Sequence, residues 1–135
     1  MNIIVDTCVW SLVLRRKVFD PDNPWASAFL AHLDRGDGLH LVGNILQELL
    51  DGVRSQTDFN RLVDILKPFP LIKLTRDTYI LAAQLRNDCQ KKGVHASPTD
   101  FLIAATGIEH GYPLLTSDKD FTRISKHSDL MICVP

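Results

Sequence analysis

The segment Asn2-Ile3-Ile4-Val5-Asp6 decides the fold. Its run of β-branched apolar residues predicts a short strand that is buried on both faces, as the strands of a parallel sheet are. The strand ends on an acid, Asp6. An ionised carboxylate directly after a buried strand is costly unless hydrogen bonds or a cation compensate its charge. The segment therefore predicts a parallel sheet with a polar site at one edge.

Strand and helix patterns alternate along the rest of the chain. Further strands are predicted at 39–42, 71–74, 114–116 and 131–134. Helices are predicted from 24 to about 36, 45 to about 54, 57 to 67, 75 to about 92, 98 to about 110 and 118 to 124, with Asn23, Asn44, Thr57 and Ser97 as their N-caps where a cap is recognisable. This order predicts one α/β domain over residues 1–135, a three-layer α/β/α sandwich with a short, mainly parallel central sheet.

The composition is that of an ordinary folded domain. The chain has 135 residues, of which 45% are hydrophobic and 23% charged, and this excludes a disordered chain. A net charge of -1 gives no general attraction to a polyanion, so a nucleic-acid function must come from a local site. The sequence shows neither a signal-peptide pattern nor an apolar run of about 20 residues. We therefore expect a cytoplasmic protein without a membrane partner.

The cysteines and histidines do not indicate a metal site of their own. Cys8, Cys89 and Cys133 are odd in number and far apart, which predicts reduced thiols that fill the core or its margin. The five histidines have no HxH, HxxxH or HExxH spacing. Zinc coordination is therefore not expected.

Four acids are placed where they can converge. Asp6 and Asp118 follow strands, Asp100 opens a helix, and Glu48 lies one turn into the helix after the second strand. Ligands in an open α/β sheet gather beyond the carboxyl ends of the strands. Each acid also has a structural explanation: Asp100 as the acid of a capping box, Asp118 as a cap or turn residue and Glu48 as part of a solvated helix face.

Four segments of the chain, in this order, resemble the motifs of the PIN-domain superfamily, and the last resembles its VapC-type toxins. The segments are Ile4-Val5-Asp6-Thr7-Cys8-Val9-Trp10-Ser11, Asn44-Ile45-Leu46-Gln47-Glu48-Leu49, Pro98-Thr99-Asp100-Phe101-Leu102-Ile103-Ala104-Ala105-Thr106 and Leu114-Leu115-Thr116-Ser117-Asp118-Lys119-Asp120-Phe121. Any one motif is weak, whereas four in the right order over nearly the whole chain are specific.

This resemblance implies a Mg²⁺- or Mn²⁺-dependent endoribonuclease. Asp6 and Asp100 would be the principal metal ligands, and Glu48 and Asp118 would complete the site or orient the attacking water. Asp120 competes with Asp118 for the fourth position. Ligands that are all oxygen favour Mg²⁺ or Mn²⁺ over zinc. The hydroxyl groups of Thr7 and of Thr116 or Ser117 would hydrogen-bond the ligating carboxylates and fix their geometry. Ordinary capping or strand-end hydrogen bonding explains these hydroxyl groups equally well.

The resemblance also implies partners: an RNA substrate, a VapB-like antitoxin protein and a second copy of the chain in a homodimer. Seven basic residues are candidate phosphate contacts, although an ordinary solvated surface charge is the favoured explanation of each: Arg15, Arg16, Lys17, Arg54, Lys91, Lys92 and Lys119. Apolar residues that can dock the antitoxin, or equally pack in the core, are Leu12, Val13, Val18, Phe19 and Trp25. For Trp10 and Trp25, packing is favoured over stacking on a base.

Two other classes of function remain to be weighed. A phospho-aspartate phosphatase would have a second Asp two residues after Asp6, where this chain continues with Cys8-Val9, and a receiver domain would have an acidic pair near the end of the first strand. The sequence disfavours both. A non-catalytic PIN-like module that binds RNA or protein is the remaining alternative, and the retained acids argue against it.

Overall fold

The computed structural model describes residues 1–14 and 20–135. Within these residues there are five strands and seven helices. The strands are β1 (Asn2–Val5), β2 (Gly38–Val42), β3 (Leu71–Ile72), β4 (Leu114–Leu115) and β5 (Ile132–Cys133). The helices are α1 (Thr7–Leu14), α2 (Pro24–Asp34), α3 (Gly43–Leu50), α4 (Gln56–Leu66), α5 (Arg76–Lys91), α6 (Pro98–His110) and α7 (Lys119–Ser125).

The strands form one parallel sheet in the order β3-β2-β1-β4-β5. Every connection between successive strands contains a helix, as parallel pairing requires. Ile3, Ile4 and Val5 are all fully buried, and successive strand residues point to opposite faces. Both faces of β1 are therefore covered, which confirms the predicted α/β sandwich. The outer strands pair over only two residues, so the strands predicted at 71–74 and 131–134 are confirmed in position but are shorter than predicted.

The aromatic part of the core joins the first helix to the second. The fully buried Trp10 ring lies edge-on to Phe29, with ring centroids 5.0 Å apart, and to Phe69, at 4.9 Å. Edge-to-face pairs of this kind add to the free energy gained by burying the rings. Within the described residues, the Trp10 indole nitrogen is buried without a hydrogen-bond partner. Packing rather than hydrogen bonding therefore holds Trp10.

Two predicted caps are confirmed and two are wrong. Asn23 caps α2, accepting from the amides of Trp25 and Ala26, and Ser97 forms a capping box with Asp100 at the start of α6. Helix α3 begins at Gly43 after Val42, which has no capping side chain. The Asn44 side chain lies inside that first turn instead.

The helix after α3 also begins earlier than predicted. Ser55 caps α4, with its hydroxyl accepting from the amide of Asp58, so Thr57 lies inside the first turn. Helix α3 ends at Leu50 rather than near 54, and Gly52 adopts a left-handed φ of 77°, which reverses the chain between α3 and α4. None of the helices in the described ranges is both long and apolar enough to span a bilayer.

Candidate metal centre

The central strand β1 and its neighbour β4 bring Asp6 and Thr116 to the same edge of the sheet. β1 and β4 are neighbours, with Val5 in register with Leu115, and the Asp6 amide donates to the Leu115 carbonyl at 3.0 Å. Because parallel strands end at one edge, the residues that follow β1 and β4 leave the sheet side by side. The segment from Thr116 to Asp118 therefore lies against Asp6.

Asp6 is a buried carboxylate with three hydrogen bonds. One oxygen accepts from the Thr7 amide at 2.8 Å, and the other accepts from the Thr116 hydroxyl at 2.7 Å and the Cys8 thiol at 3.3 Å. Burial raises the pKa of Asp6 above its usual 3.8; these hydrogen bonds act against that rise, and the nearby charge of Asp118 adds to it. Hydrogen-bond donors thus fix the orientation of the Asp6 carboxylate, while burial disfavours its charged form.

Three further acids form a compact group beside Asp6. One carboxylate oxygen from each of Asp100, Asp118 and Asp120 lies within 4.8 Å of the other two. Asp118 caps α7 by accepting from the Asp120 amide at 2.9 Å, so this turn places both acids on one side. Asp120 also pairs with Arg123. Asp118 and Asp120, the two candidates for the fourth acid, therefore lie close together.

Asp100 takes part in both the capping box and the acidic group. Its amide donates to the Ser97 hydroxyl at 3.1 Å, and its carboxylate accepts from the Ser97 amide at 3.3 Å. Burial raises its pKa, and the charges of Asp118 and Asp6 raise it further, against the lowering effect of the Ser97 hydrogen bonds. The Asp100 side chain therefore caps α6 and belongs to the acidic group in the same position.

Glu48 is linked to Asp6 through Thr7. It is exposed on α3, outside the group of three acids, and its Oε2 accepts from the Thr7 hydroxyl at 2.9 Å. Since the Thr7 amide donates to Asp6, Thr7 connects the two carboxylates. One turn earlier on α3, the Asn44 amide group donates to the Thr99 carbonyl at 3.4 Å, which ties α3 to the start of α6.

The Thr116 side chain links Asp6, Asp118 and Cys8. Its hydroxyl donates to Asp6 and accepts from the Asp118 amide at 3.0 Å, and it lies 3.5 Å from the Cys8 sulfur. The Ser117 hydroxyl donates to the Cys8 sulfur at 3.4 Å rather than to a carboxylate. Thr7 and Thr116 therefore contact the acids as the resemblance implied, whereas the hydrogen bond described for Ser117 is to Cys8.

Two residues of the site were missed from the sequence. The sequence predicts that Cys8 fills the core or its margin, yet its half-buried thiol donates to Asp6. The signal in the sequence is its position two residues after Asp6. Trp25 was interpreted mainly as packing. Its ring does pack on the core, but its indole nitrogen also donates to the Thr116 carbonyl at 3.0 Å. No sequence pattern announced that contact, because 91 residues separate its partners.

The candidate phosphate contacts are only partly described. Arg54, Lys91, Lys92 and Lys119 are exposed. Leu12 and Val13, two of the candidate docking residues, are half-buried on α1. The other candidates from this part of the chain lie outside the described residues, namely Arg15, Arg16, Lys17, Val18 and Phe19.

The side chains present fit a divalent cation that prefers oxygen. Every acid in the region offers carboxylate oxygens, and Cys8 uses its sulfur in hydrogen bonds to Asp6 and Ser117. Within residues 1–14 and 20–135, no lysine or arginine forms an ion pair with Asp6, Asp100 or Asp118. A cluster of negative charge with raised pKa values and hard oxygen donors suits Mg²⁺ or Mn²⁺ better than zinc.

The PIN domain family model matches residues 3–127, and the chain belongs to this family. The resemblance of the four motifs is thereby confirmed. The chain is similar to Ribonuclease VapC1 of Rickettsia felis, with 29% identity covering 92% of this chain and 91% of the relative. It is also similar to Ribonuclease VapC of Rickettsia bellii, with 28% identity and the same coverage of each chain.

Solved structures agree on the fold. The crystal structure of VapBC2 from Rickettsia felis bound to a DNA fragment from their promoter superposes with a TM-score of 0.74 and 22% identity, covering 98% of each chain. FitAcB from Neisseria gonorrhoeae superposes with a TM-score of 0.73 and 21% identity, covering 99% of this chain and 97% of the other.

Proposed function

We propose that this protein is a metal-dependent endoribonuclease and the toxin of a toxin-antitoxin pair. The observation that carries the proposal is the meeting of Asp6, Asp100 and Asp118 at the carboxyl edge of the sheet. Besides burial, the charge of Asp118 raises the pKa of Asp6 and of Asp100, and the charge of Asp6 raises the pKa of Asp100. Holding like charges together in a partly buried site costs free energy, and a bound cation offsets that cost. Family membership and relatives named as VapC ribonucleases support the reaction.

We assign the cation, Mg²⁺ or Mn²⁺, to Asp6, Asp100 and Asp118, with Asp120 as the alternative fourth acid. When bound, such an ion neutralises phosphate oxygens and lowers the pKa of a coordinated water. Asp6 would be the most rigid ligand, since three donors fix its two oxygens. Asp120 would be the weaker candidate, because its carboxylate already pairs with Arg123.

The other residues of the site position groups or handle the proton. Glu48 is exposed and connected through Thr7 to Asp6, which places its carboxylate to orient the attacking water and accept its proton. The Thr116 hydroxyl holds the Asp6 carboxylate and the Asp118 amide at a fixed distance from each other, because it hydrogen-bonds both. No side chain acts as a nucleophile in this scheme.

The partners follow from the family and its named complexes. The matched structures include VapB-VapC complexes, and we propose a VapB-like antitoxin as the protein partner of this chain. RNA is the proposed substrate, and Lys119, next to Asp118, is exposed where a phosphate can reach it. One PIN domain over residues 1–135, the homodimer and the cytoplasmic location stay predictions.

The test is cleavage of total RNA by the purified chain in Mg²⁺, in Mn²⁺ and in EDTA, with mapping of the cut ends. We expect cleavage with either ion and none in EDTA. Glu48→Gln should bind the ion and cut at least about 100-fold more slowly, because the amide cannot accept a proton from water. Asp64→Asn, on the exposed face of α4, is the matched control and should cut normally. Full activity in EDTA would contradict the proposal, and Mg²⁺-dependent RNA binding without cleavage would support the non-catalytic module instead.

A further inference from the structure

Trp25 reaches the candidate metal centre from an element that contributes none of its acids. It is the second residue of α2, where the Asn23 side chain accepts from its main-chain amide at 3.0 Å. Its half-buried ring packs on the core, and its indole N–H donates to the Thr116 carbonyl at 3.0 Å. Both its main chain and its side chain are therefore held.

The Thr116 carbonyl belongs to the peptide bond between Thr116 and Ser117. This peptide lies between Thr116, which contacts Asp6, and the acids Asp118 and Asp120 at the start of α7. On one side of this peptide, the Thr116 hydroxyl donates to Asp6; on the other, the chain continues through Ser117 to Asp118. The strand pairing of β4 ends at Leu115, so the sheet no longer fixes this peptide. Beyond the end of β4, the hydrogen bond from the Trp25 indole holds this peptide in place.

We propose that Trp25 is a positioning residue of the metal centre. Its hydrogen bond to the Thr116 carbonyl sets the orientation of residues 116–118, which run from the Thr116 contact with Asp6 to Asp118. The inference rests on the proposed function, since it concerns how tightly that site holds its cation. Groups that orient ligands contribute to metal affinity although they do not touch the metal. The indole is rigid and its donor has one direction, which suits it to this role.

The chain supplies a matched control in Trp10. Both tryptophans pack on the core, but within the described residues the indole nitrogen of Trp10 has no hydrogen-bond partner. Trp25→Phe removes a hydrogen bond to the site and keeps an aromatic ring, whereas Trp10→Phe removes an indole of the core without removing such a bond. Any general effect of Trp-to-Phe replacement is common to both variants.

The first measurement uses the unaltered protein. Its two tryptophans give two indole N–H signals in a ¹⁵N-¹H correlation spectrum, and the two Phe variants assign them. On titration with Mg²⁺, the Trp25 signal should shift with the same midpoint as metal binding measured by calorimetry, and the Trp10 signal should shift much less. If neither indole signal shifts during saturating Mg²⁺ binding, the inference is overturned, and that result needs no assignment by the variants.

The second measurement is Mn²⁺ affinity by electron paramagnetic resonance. Trp25→Phe should bind Mn²⁺ about 3- to 10-fold more weakly than the unaltered protein, the effect of losing one hydrogen bond that supports a ligand. Trp10→Phe should bind as the unaltered protein does, even where its Tm is lower. Equal affinities in all three proteins would overturn the role of Trp25. An unaltered protein that binds no Mn²⁺ would instead refute the metal site of the proposed function.

Discussion

At the scale of the residue, Asp100 shows how one side chain can serve the fold and the site together. Its carboxylate accepts from the Ser97 amide, and it also lies within the group formed with Asp118 and Asp120. Capping needs an oxygen acceptor, which Asn also provides, whereas binding a divalent cation needs charge. Substitutions at positions 97 and 100 therefore separate the two roles.

We expect Asp100→Asn to retain the fold and lose RNA cleavage by at least about 100-fold, because the amide keeps an acceptor for the cap but gives the cation no charge. Ser97→Ala should do the opposite: it removes the cap acceptor, costs about 1 kcal/mol of stability and leaves most of the activity. Thermal unfolding and cleavage rates measured on both variants test this. Normal cleavage by Asp100→Asn would mean that Asp100 is only a cap.

At the scale of the element, α6 is placed by a close contact near its end. A Cβ atom built on Gly107 would lie 3.0 Å from the Tyr112 carbonyl and 3.2 Å from the Leu130 side chain. The helix therefore packs so closely against the turn before β4 that a Cβ atom at position 107 would require the Tyr112 carbonyl or the Leu130 side chain to shift by a few tenths of an ångström. Because α6 begins with the turn that carries Asp100, its placement also sets the position of that acid.

Gly107→Ala should therefore destabilise the protein by about 1 to 3 kcal/mol, although alanine favours a helix over glycine by nearly 1 kcal/mol. Gly43→Ala is the control: nothing lies within 4 Å of its added Cβ, and the change should be neutral or stabilise by less than about 1 kcal/mol. Urea unfolding of both variants decides the matter. Equal effects at the two positions would show that the contact at Gly107 relaxes without cost.

At the scale of the whole molecule, Asp37 and the site acids Asp6 and Asp100 affect stability in opposite directions as the pH changes. A hydrogen bond from His32, with help from Arg35 and the Met1 amino group, lowers the pKa of Asp37 from 3.8 to about 2. Its stabilising contribution is present above pH 3.8 and is lost as the pH falls towards 2. The pKa values of Asp6 and Asp100 are raised instead, chiefly by burial. Their contribution is complete below pH 3.8 and is lost as the pH rises through the raised values.

In EDTA we therefore expect stability to decline with rising pH above about 4, as the site acids ionise in the folded state. Asp118→Asn should flatten this decline, because the charge of Asp118 contributes to the raised pKa of both Asp6 and Asp100. At pH 8 the metal-free variant should melt roughly 3 to 5 °C above the unaltered protein, corresponding to about 1 kcal/mol.

Added Mn²⁺ should stabilise the unaltered protein more than Asp118→Asn, since only a bound cation offsets the repulsion. The control is Asp64→Asn, which alters an exposed pair with Lys67 on α4 and should change neither the pH profile nor the Mn²⁺ shift. Thermal unfolding from pH 4 to pH 8, with EDTA or with Mn²⁺, provides both readouts. An Asp118→Asn protein that melts lower than the unaltered one in EDTA would show that the acids do not repel one another.

The sequence by itself determined the class of fold, the family and the acids. Hydrophobic runs such as Ile3-Ile4-Val5 predict buried parallel strands because burial on both faces requires continuous apolar residues. Caps such as Asn23 and Ser97 were also predictable, since they bond to amides two or three residues away. Asn44 was misread because the preceding strand runs directly into α3, and tertiary context overrides a local capping preference.

Only the tertiary structure decided how the site is held together. The contacts from Thr116 to Asp6, from Thr7 to Glu48 and from Trp25 to Thr116 join residues 110, 41 and 91 positions apart. Local propensity carries no information about which side chains meet over such distances; strand order and helix packing determine it. The same holds for pKa values, because burial and the charges of neighbours exist only after the chain has folded. The sequence therefore identifies the individual acids, whereas the fold determines how they act as a group.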